Sequence, residues 1–375
     1  MDNQNSVAYV GVIGSVTEIN GADNIELVMV NGWQAITKKG EYMVGDFVVI
    51  ATTDAIIPLK LSDEMGVTGY LRKGRRVRTV KLRGVYSECL IIPTKYIPGY
   101  GEQYYDGKDM MGVFGITKYE PPVKTIQLSV GGRKIRYDEN PNFHIYYKFP
   151  NQKNVPDMFN GNDEVVITRK LHGTNARYGI VKKRKLSIFD RVKLLFGNKW
   201  ARFEYVMGSR NVEKGSDSQG FYDENVWEKC AFKYDMREVL WRHVKDTYKP
   251  DELDKGFIIY GEIYGAGIQK NFDYGLDTIK FAGFDVEVDG VYESYDKEVA
   301  HFKCLNLPQV DMLYRGLWCK DIQDKYVFDN FILGGKVPHE GVVVKGVGGE
   351  RNKISKVINP SYLIYGENNN VGDSH

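Results

Sequence analysis

The chain has 375 residues, of which 42% are hydrophobic and 27% charged, and its formal net charge is only +2 at pH 7. This composition excludes wholesale disorder, collagen and a coiled coil, and any polyanionic partner must be met by a local basic surface. The length favours two domains, and 40 Gly, 26 Tyr and 17 Phe residues indicate short strands with tight turns. Because no apolar run approaches the ~18 residues of a membrane span and the start lacks signal-peptide order, we expect a cytoplasmic protein with no membrane partner.

The first part of the chain contains short apolar segments separated by Gly, Asn and Asp turns, which predicts a small antiparallel barrel or sandwich. These segments are VAYVGVIGSV, IELVMV, DFVVIA, RRVRTVKL and ECLIIP. In RRVRTVKL, the alternation of a strand aims Arg76 and Arg78 outward, where they suit nucleic-acid phosphate. The same charges also suit a solvated edge strand, and the sequence leaves both interpretations open.

Turn-forming residues dominate positions 98–145, which we interpret as the connection between two domains. Beyond it, DEVVITRKLHGTNARYGIV predicts two strands joined at HGTN, and residues 223–246 have the apolar recurrence of one amphipathic helix. Later segments return to strand character, so the second domain is predicted to be α+β with antiparallel sheets. The tail, GENNNVGDSH, has the composition of a disordered segment.

The usual phosphate and hydrolase motifs are missing: the sequence has no GxxxxGK[ST], GxGxxG, HExxH or GxSxG. Instead, a lysine precedes a glycine turn in KLHGTN, and further polar motifs follow in strand-like segments. These are SRN at 209–211, GEIYGAGIQ within 260–270, FAGFD at 281–285, EGVVVK at 340–345 and KVINPSYL from Lys356. A lysine, two strand glutamates and a later lysine form a set suited to nucleotidyl transfer.

KLHGTN, GEIYGAGIQ and EGVVVK, in this order, strongly resemble the covalent lysyl-nucleotidyltransferases, and among them the ATP-dependent, nick-sealing RNA ligases of the RNA ligase 2 type. The resemblance covers about residues 140–365. FGITKYEPP at 114–122 is similar to the Deinococcus-type branch, in which an OB module precedes the catalytic domain. In DNA ligases and capping enzymes the OB module usually follows, so the domain order argues against them.

The resemblance implies an α+β protein with an N-terminal OB-like β-barrel followed by an antiparallel-sheet nucleotidyltransferase domain of the ATP-grasp-like ligase type. We expect an OB-like nucleic-acid-binding module at 1–120, a connecting segment at 121–145, the adenylation domain at 146–366 and a disordered tail at 367–375.

The implied reaction has three steps: a lysine attacks the α-phosphate of ATP, AMP passes to an RNA 5′-phosphate, and a 3′-hydroxyl displaces AMP. The implied cofactors are ATP and Mg²⁺, with Mn²⁺ as a substitute. The expected substrate is a nicked RNA or RNA/DNA duplex, in RNA repair, and the expected state is a monomer.

The resemblance also assigns roles by position. Lys170 stands at the nucleophile and Glu340 near the metal. His172 is expected either to orient a phosphate or only to form hydrogen bonds within the turn. Asn175 is expected to help hold the reacting ends, or else to be an ordinary residue of the strand. The remaining nucleotide contacts are expected from Arg210, Glu262 at the ribose, Phe284 stacking on adenine with Phe281 as its competitor, and Lys345 and Lys356 as cations near the phosphate.

Two features depart from the pattern or lie outside it. The last family motif usually has two lysines one residue apart, but Ile354 stands two before Lys356, and the extra lysine is Lys353. Residues 182–202 carry eight Lys/Arg and one acid, interleaved with Phe189, Phe196 and Trp200, which suits either an RNA-contacting insertion or a solvated hairpin or amphipathic helix.

Three alternatives remain at this stage. A DNA ligase and a GTP-using capping enzyme share the lysine chemistry, and labelling with each nucleotide separates them. A nucleic-acid-binding protein that has lost catalysis is the third, and the joint presence of Lys170, Glu262, Glu340 and Lys356 weighs against it.

Overall fold

The structure, a computed structural model, describes residues 6–72, 74–97, 104–119, 129–130, 133–134, 140–210, 212–213, 225–328, 332–333, 337–369 and 371. The chain forms two compact units. The first comprises Met1–Pro122 and Pro150–Met158, and the second comprises Val123–Phe149 and Phe159–His375. The predicted domain limits at 120 and 146 stay a prediction, but Pro150–Met158 returns to the first unit.

The first unit is built mainly from strands. Its strands are β1 Ala8–Glu18, β2 Ile25–Val30, β3 Trp33–Lys38, β4 Phe47–Thr52, β5 Ala55–Ile56, β6 Val80–Leu82, β7 Val85–Ser87, β8 Cys89–Ile92 and β9 Thr117–Lys118. Its helices are α1 Leu59–Glu64 and α2 Met111–Phe114, with 3-10 turns at Thr68–Tyr70, Thr94–Tyr96, Gln152–Asn154 and Pro156–Met158.

Five of these strands form an antiparallel sheet in the order β3-β2-β1-β4-β8. Strand β1 pairs with β4 through its first half and, after a bulge between Ile13 and Ser15, with β2 through its second half. The outer strands also meet, because Glu88 donates its N–H to the carbonyl of Gln34 at 2.8 Å. The sheet therefore curls into a nearly closed barrel around a core of Val, Ile and Ala side chains.

The basic segment of the barrel differs from its prediction. Only Val80–Leu82 of RRVRTVKL is a strand, and Arg76 does not face outward freely: it forms an ion pair with Asp54 and lies 4.1 Å from the ring centroid of Tyr119. Arg78 donates from Nε to the carbonyl of Tyr70 at 3.1 Å. Arg76 is thus part of the packing of the barrel.

The segment Pro150–Met158 is tied to this barrel. Lys153 forms an ion pair with Glu88, which is 4% exposed, and Trp33 donates from its indole nitrogen to Asn154 at 3.2 Å. A Cβ added at Gly32 would lie 2.7 Å from the Cα of Lys153, so the close approach requires glycine.

The second unit contains the remaining elements. Its strands are β10 Ser129–Val130, β11 Arg133–Lys134, β12 Glu164–Lys170, β13 Thr174–Lys182, β14 Phe203–Gly208, β15 Gly256–Gly265, β16 Ile279–Val288, β17 Val291–Tyr292, β18 Met312–Leu317, β19 Ile332–Leu333, β20 Val337–Pro338, β21 Gly341–Gly346 and β22 Ile354–Ile358. Its helices are α3 Ile188–Leu195, α4 Val226–Lys233, α5 Met236–Thr247, α6 Tyr295–Leu305, α7 Lys320–Val327 and α8 Pro360–Asn369, with a 3-10 turn at Lys199–Arg202.

Two antiparallel sheets form the centre of this unit. One has the order β18-β12-β21-β22 and the other the order β14-β13-β15-β16-β17. Helices α4, α5 and α6 cover the second sheet, with Trp227, Leu240 and Phe302 buried in the shared core. The predicted antiparallel α+β architecture is confirmed.

Three local predictions need comment. The single helix predicted over 223–246 is wrong: α4 ends before Tyr234, and α5 starts after Asp235, whose φ of 50° breaks the helical path. The tail begins later than expected, because α8 continues to Asn369. Most of the predicted connection at 121–145 lies outside the described residues, as do 370 and 372–375.

Candidate active site

The turn between β12 and β13 crosses from one sheet to the other, and it begins directly after the predicted nucleophile. Lys170 is the last residue of β12, and its backbone pairs with Gly341 at the start of β21. Glu340 immediately precedes that strand, so this register brings its carboxylate to Lys170. The two side chains form an ion pair in which Glu340 is 1% exposed and Lys170 is 19% exposed. The structure therefore brings KLHGTN and EGVVVK side by side.

His172, the middle of the turn, is fully buried in a cluster of aromatic rings. Its Nδ1 atom lies 2.9 Å from the Tyr362 hydroxyl, and its backbone N–H donates to the Tyr274 hydroxyl at 2.8 Å. Its ring also contacts Phe272 edge-on, with the centroids 4.7 Å apart. These contacts fix the turn that follows Lys170. Of the two roles expected for His172, they favour the one in which it holds the turn.

Gly173 completes the turn where the two sheets approach each other. A Cβ at this position would collide with the carbonyl oxygen of Ile263 in β15. No side chain fits there, and we infer that the glycine is required for the crossing from β12 to β13.

The second sheet contributes Asn175 and Glu262, which are directly paired across β13 and β15. Burial raises the pKa of Glu262 to about 8; the charge of Lys170 lowers it and that of Glu340 raises it. The Oδ1 atom of Asn175 is buried and has no hydrogen-bond partner within the described part of the chain. Two carboxylates, an amine and an available acceptor thus converge at the turn.

The raised pKa of Glu262 predicts a specific dependence of stability on pH. The folded protein holds the proton of the Glu262 carboxyl group more tightly than the unfolded chain does. The resulting contribution of Glu262 to the free energy of unfolding is complete below pH 4.5 and is lost as the pH rises through about 8. Between about pH 6 and about pH 9, we expect the melting temperature of the natural protein to fall relative to that of Glu262→Gln. The exposed Glu228→Gln is the matched control. Parallel curves for all three proteins would contradict the assignment.

Three lysines share one face of the first sheet. Val343 pairs with Lys356 and Lys345 with Ile354, and alternate residues of paired strands point to the same side. Because Lys170 pairs with Gly341 in the same register, Lys170, Lys345 and Lys356 lie on this face. Lys353 is elsewhere: it donates to Asp163 at 2.9 Å.

Lys345 is the most deeply buried of these lysines. Its Nζ atom lies 2.5 Å from Glu298, 2.8 Å from the carbonyl of Phe284 and 3.6 Å from Asp285. Burial alone would lower the pKa of Lys345, but the carboxylates of Asp285 and Glu298 raise it overall. The same burial raises the pKa of Glu298 to about 7. The structure therefore gives Lys345 protein partners, through which it holds the strand that carries Phe284.

The structure separates the two candidates for adenine stacking. Phe281 is fully buried in the helix-covered core, where a Cβ at Gly261 would collide with its ring. Phe284 is the unpaired residue of a bulge in β16 and is only partly buried. Its ring centroid lies 4.9 Å from that of Tyr146, on the opposite side of the sheet. Of the two, only Phe284 offers ring surface on the side of the sheet that carries Glu262.

Arg210 is held beside the same aromatic group. It donates to the carbonyl of Tyr147 at 2.8 Å and to that of Tyr146 at 3.4 Å. Burial lowers its pKa, although the negative charge of Glu262 raises it. Arg210 is thus close enough to Glu262 for their charges to interact.

Sequence reasoning missed a positioning residue, Arg177. This arginine is fully buried in β13 and donates to the carbonyls of Ser209, at 2.7 Å, and Phe143. Its guanidinium also lies 4.1 Å from the Phe143 ring centroid. It therefore fixes the residue before Arg210 and the segment that leads to Tyr146. Its place in β13, two residues after Asn175 on the same face, was the signal available in the sequence.

The basic segment 182–202 contains the helix α3 and the 3-10 turn Lys199–Arg202, and its contact with RNA stays a prediction. Trp200 packs inward, with its ring centroid 6.2 Å from that of Trp241. Phe189 and Phe196 are instead 79% and 86% exposed.

No set of three His, Cys, Asp or Glu side chains arranged for a metal ion occurs among the described residues. Nor is any helix in that part of the chain long and apolar enough to cross a membrane.

Comparisons with known proteins identify both units. A family model described as RNA ligase matches residues 163–358, and one described as an OB-fold domain matches residues 7–94. A search of curated proteins found no match.

Among solved structures, three of the Naegleria gruberi RNA ligase are similar to this chain at 24% identity. A variant without ligand has a TM-score of 0.70 and aligns over 97% of this chain and 98% of its own. The complex with pyrophosphate has a TM-score of 0.69 over 97% and 99%. A variant with ATP and Mn has a TM-score of 0.69 over 96% and 98%. These likenesses show that the fold of both units, in this order, is that of a known RNA ligase, which confirms the predicted fold class.

Proposed function

The chain belongs to the RNA ligase family, and from that membership we propose that it uses ATP to join 3′-hydroxyl and 5′-phosphate ends at nicks in duplexes for RNA repair. The observation that carries the proposal is the convergence of Lys170, Glu340 and Glu262 at the crossing between the two sheets. A protein that had lost catalysis would have no need to maintain an amine and two carboxylates there.

In the first step, Nζ of Lys170 attacks the α-phosphorus of ATP. An N–P bond forms, the bond to the bridging oxygen of the β-phosphate breaks, and pyrophosphate leaves in line. The amine must be neutral to attack, and the carboxylate of Glu340 is placed to take up its proton. Lys356, on the same face of the sheet, is the cation that we assign to the α-phosphate oxygens.

We assign the nucleoside to the face of the second sheet. Phe284 offers its ring to adenine, Glu262 accepts hydrogen bonds from the ribose hydroxyls, and Arg210 contacts the sugar or the nucleic-acid end. Asn175, with an unpartnered oxygen next to Glu262, is placed to hold one of the reacting ends. The aromatic cluster around His172 and the buried charges around Lys345 keep these groups in position.

The donor set fits Mg²⁺ or Mn²⁺. Both prefer hard oxygen ligands, and Mg²⁺ is commonly held by one or two carboxylates together with substrate phosphates and water. Glu340 and Glu262 provide two carboxylates whose mutual repulsion helps to raise the pKa of Glu262. When bound, the ion would neutralise charge on the phosphates, and Glu340 is the residue that we expect to hold it.

A sealing assay on nicked duplexes tests this function. With ATP, we expect sealing when the 3′-hydroxyl strand ends in RNA, and accumulation of AMP-capped 5′-phosphate strand when that hydroxyl is absent. All-DNA nicks compared under the same conditions distinguish a DNA ligase. Adduct formation with GTP rather than ATP would instead favour a capping enzyme, and no adduct with either nucleotide would support loss of catalysis.

We further propose that the barrel positions the duplex. Since Arg76 supports the barrel through Asp54, Arg78 is the better test of the two predicted phosphate ligands. Replacing Arg78 by Gln should weaken duplex binding and lower the slope of log affinity against log salt by roughly one unit for each phosphate that is no longer neutralised. Lysine adenylylation should continue at the natural rate. An unchanged salt slope would show that Arg78 does not bind phosphate.

A further inference from the structure

The helix inserted between β13 and β14 exposes a continuous apolar stripe. Its members are Ile188, Phe189, Val192, Leu195 and Phe196, whose exposed fractions range from 43% at Val192 to 86% at Phe196. They occupy positions i, i+1, i+4, i+7 and i+8, which lie on one side of a helix and span an arc of about 120°. Exposed apolar residues this close together indicate an interaction surface.

The stripe points away from the protein. On the opposite side of α3, Asp190 is buried and Leu194 is half-buried, so that side faces the body of the unit. Asp190 also fixes the start of the helix, because it and Ser187 form a capping box. The helix is thus held by the side that carries Asp190, whereas a helix that packs on a core is held by its apolar stripe.

Positive charge surrounds the stripe. Arg191 and Lys193 are exposed and lie on its two edges, and Lys185 is exposed just before the helix. The only acid between residues 182 and 202, Asp190, is taken up by an ion pair with Lys183. The surface offered to a partner is therefore apolar at its centre and basic at its margins.

We propose that α3 lies on an anionic lipid surface, with the apolar stripe inserted between the lipids and the basic margins at their headgroups. This is the charge and hydrophobic pattern of an interfacial helix. Although the short apolar runs of the sequence predict no membrane partner, a helix that lies on the surface needs no spanning run.

Two other occupants fit less well. Symmetric pairing of two copies would bring the arginines and lysines of both margins together, and like charges would repel. RNA bases could stack on Phe189 and Phe196, but RNA would also meet the aliphatic side chains of Ile188, Val192 and Leu195, which cannot stack on bases.

Flotation of the full chain with lipid vesicles tests the proposal. We expect it to float with vesicles of phosphatidylglycerol and phosphatidylcholine but not with phosphatidylcholine alone. Replacing both Phe189 and Phe196 by Ser should lower the partition coefficient about tenfold or more, since two large apolar side chains no longer leave water. Phe232→Ser is the matched control, because Phe232 is 90% exposed on α4, outside the stripe. It should bind as the natural protein does.

The melting temperature verifies folding, because all three phenylalanines are exposed. Failure of the natural protein to float with anionic vesicles would overturn the proposal, as would equal binding by the double variant. If light scattering shows a dimer of the natural protein and a monomer of the double variant, the stripe would be assigned to contact with a second copy. Loss of affinity for a nicked duplex in that variant, without vesicle binding, would assign it to RNA.

Discussion

Lys170→Ala should form no covalent adduct with AMP, whereas the natural protein incubated with ATP and Mg²⁺ should gain one AMP on Lys170. The loss should be complete, because the other buried amine of the described site, Lys345, is held by Glu298 and by the carbonyl of Phe284, whereas Lys170 stands at the turn beside Glu340. Mass spectrometry of the intact protein and of its peptides measures both the stoichiometry and the position.

Lys182→Ala is the matched control for this loss. Lys182 also ends a strand and forms an ion pair, with Asp254, but it is at the far end of β13 from the turn. In the natural protein Lys182 should accept no AMP. In Lys182→Ala the adduct on Lys170 should form as it does in the natural protein. AMP found on any other lysine would refute the assignment of the nucleophile.

Glu340→Gln should reduce adduct formation by about 100-fold or more, since the amide keeps the shape of the side chain but neither takes up a proton nor neutralises a cation. We expect the melting temperature to stay within about 5 °C of the natural value. Single-turnover labelling with ATP, measured over a range of Mg²⁺ concentrations, gives both the rate and the apparent metal affinity.

A double variant keeps this experiment decisive if Glu340→Gln is unstable. The single change leaves Lys170 charged beside a neutral, buried amide. In Lys170→Met/Glu340→Gln both charges are absent, so recovery of the melting temperature would attribute the instability to the unpaired lysine. Normal labelling by Glu340→Gln would remove Glu340 from the reaction.

The sequence was most informative where a motif determines both chemistry and register. KLHGTN predicted a strand, a glycine turn and a second strand, and the register of β12 with β21 then requires Glu340 to lie beside Lys170. The alternation of strands and turns likewise predicted four of the five strands in the barrel sheet. In these places local pattern and tertiary pairing agree.

Elsewhere the decisive contacts are between residues far apart in the chain. Nothing local to Arg177 indicates that it donates to Phe143 and Ser209, and nothing local to Lys345 indicates Glu298 as its partner. The break at Asp235 also escaped prediction, because apolar residues recur without interruption from α4 into α5. Tertiary packing, rather than local propensity, decided each of these cases.

The return of Pro150–Met158 to the first unit makes the barrel a discontinuous module. Exchanging residues 1–120 between ligases would transplant Glu88 without Lys153 and leave a buried carboxylate lacking its counter-ion. It would also deprive Trp33 of its hydrogen bond to Asn154. In such a chimaera the host's own Pro150–Met158 would have to pack against a foreign barrel. A domain exchange in this protein therefore requires two grafted segments, residues 1–120 and Pro150–Met158.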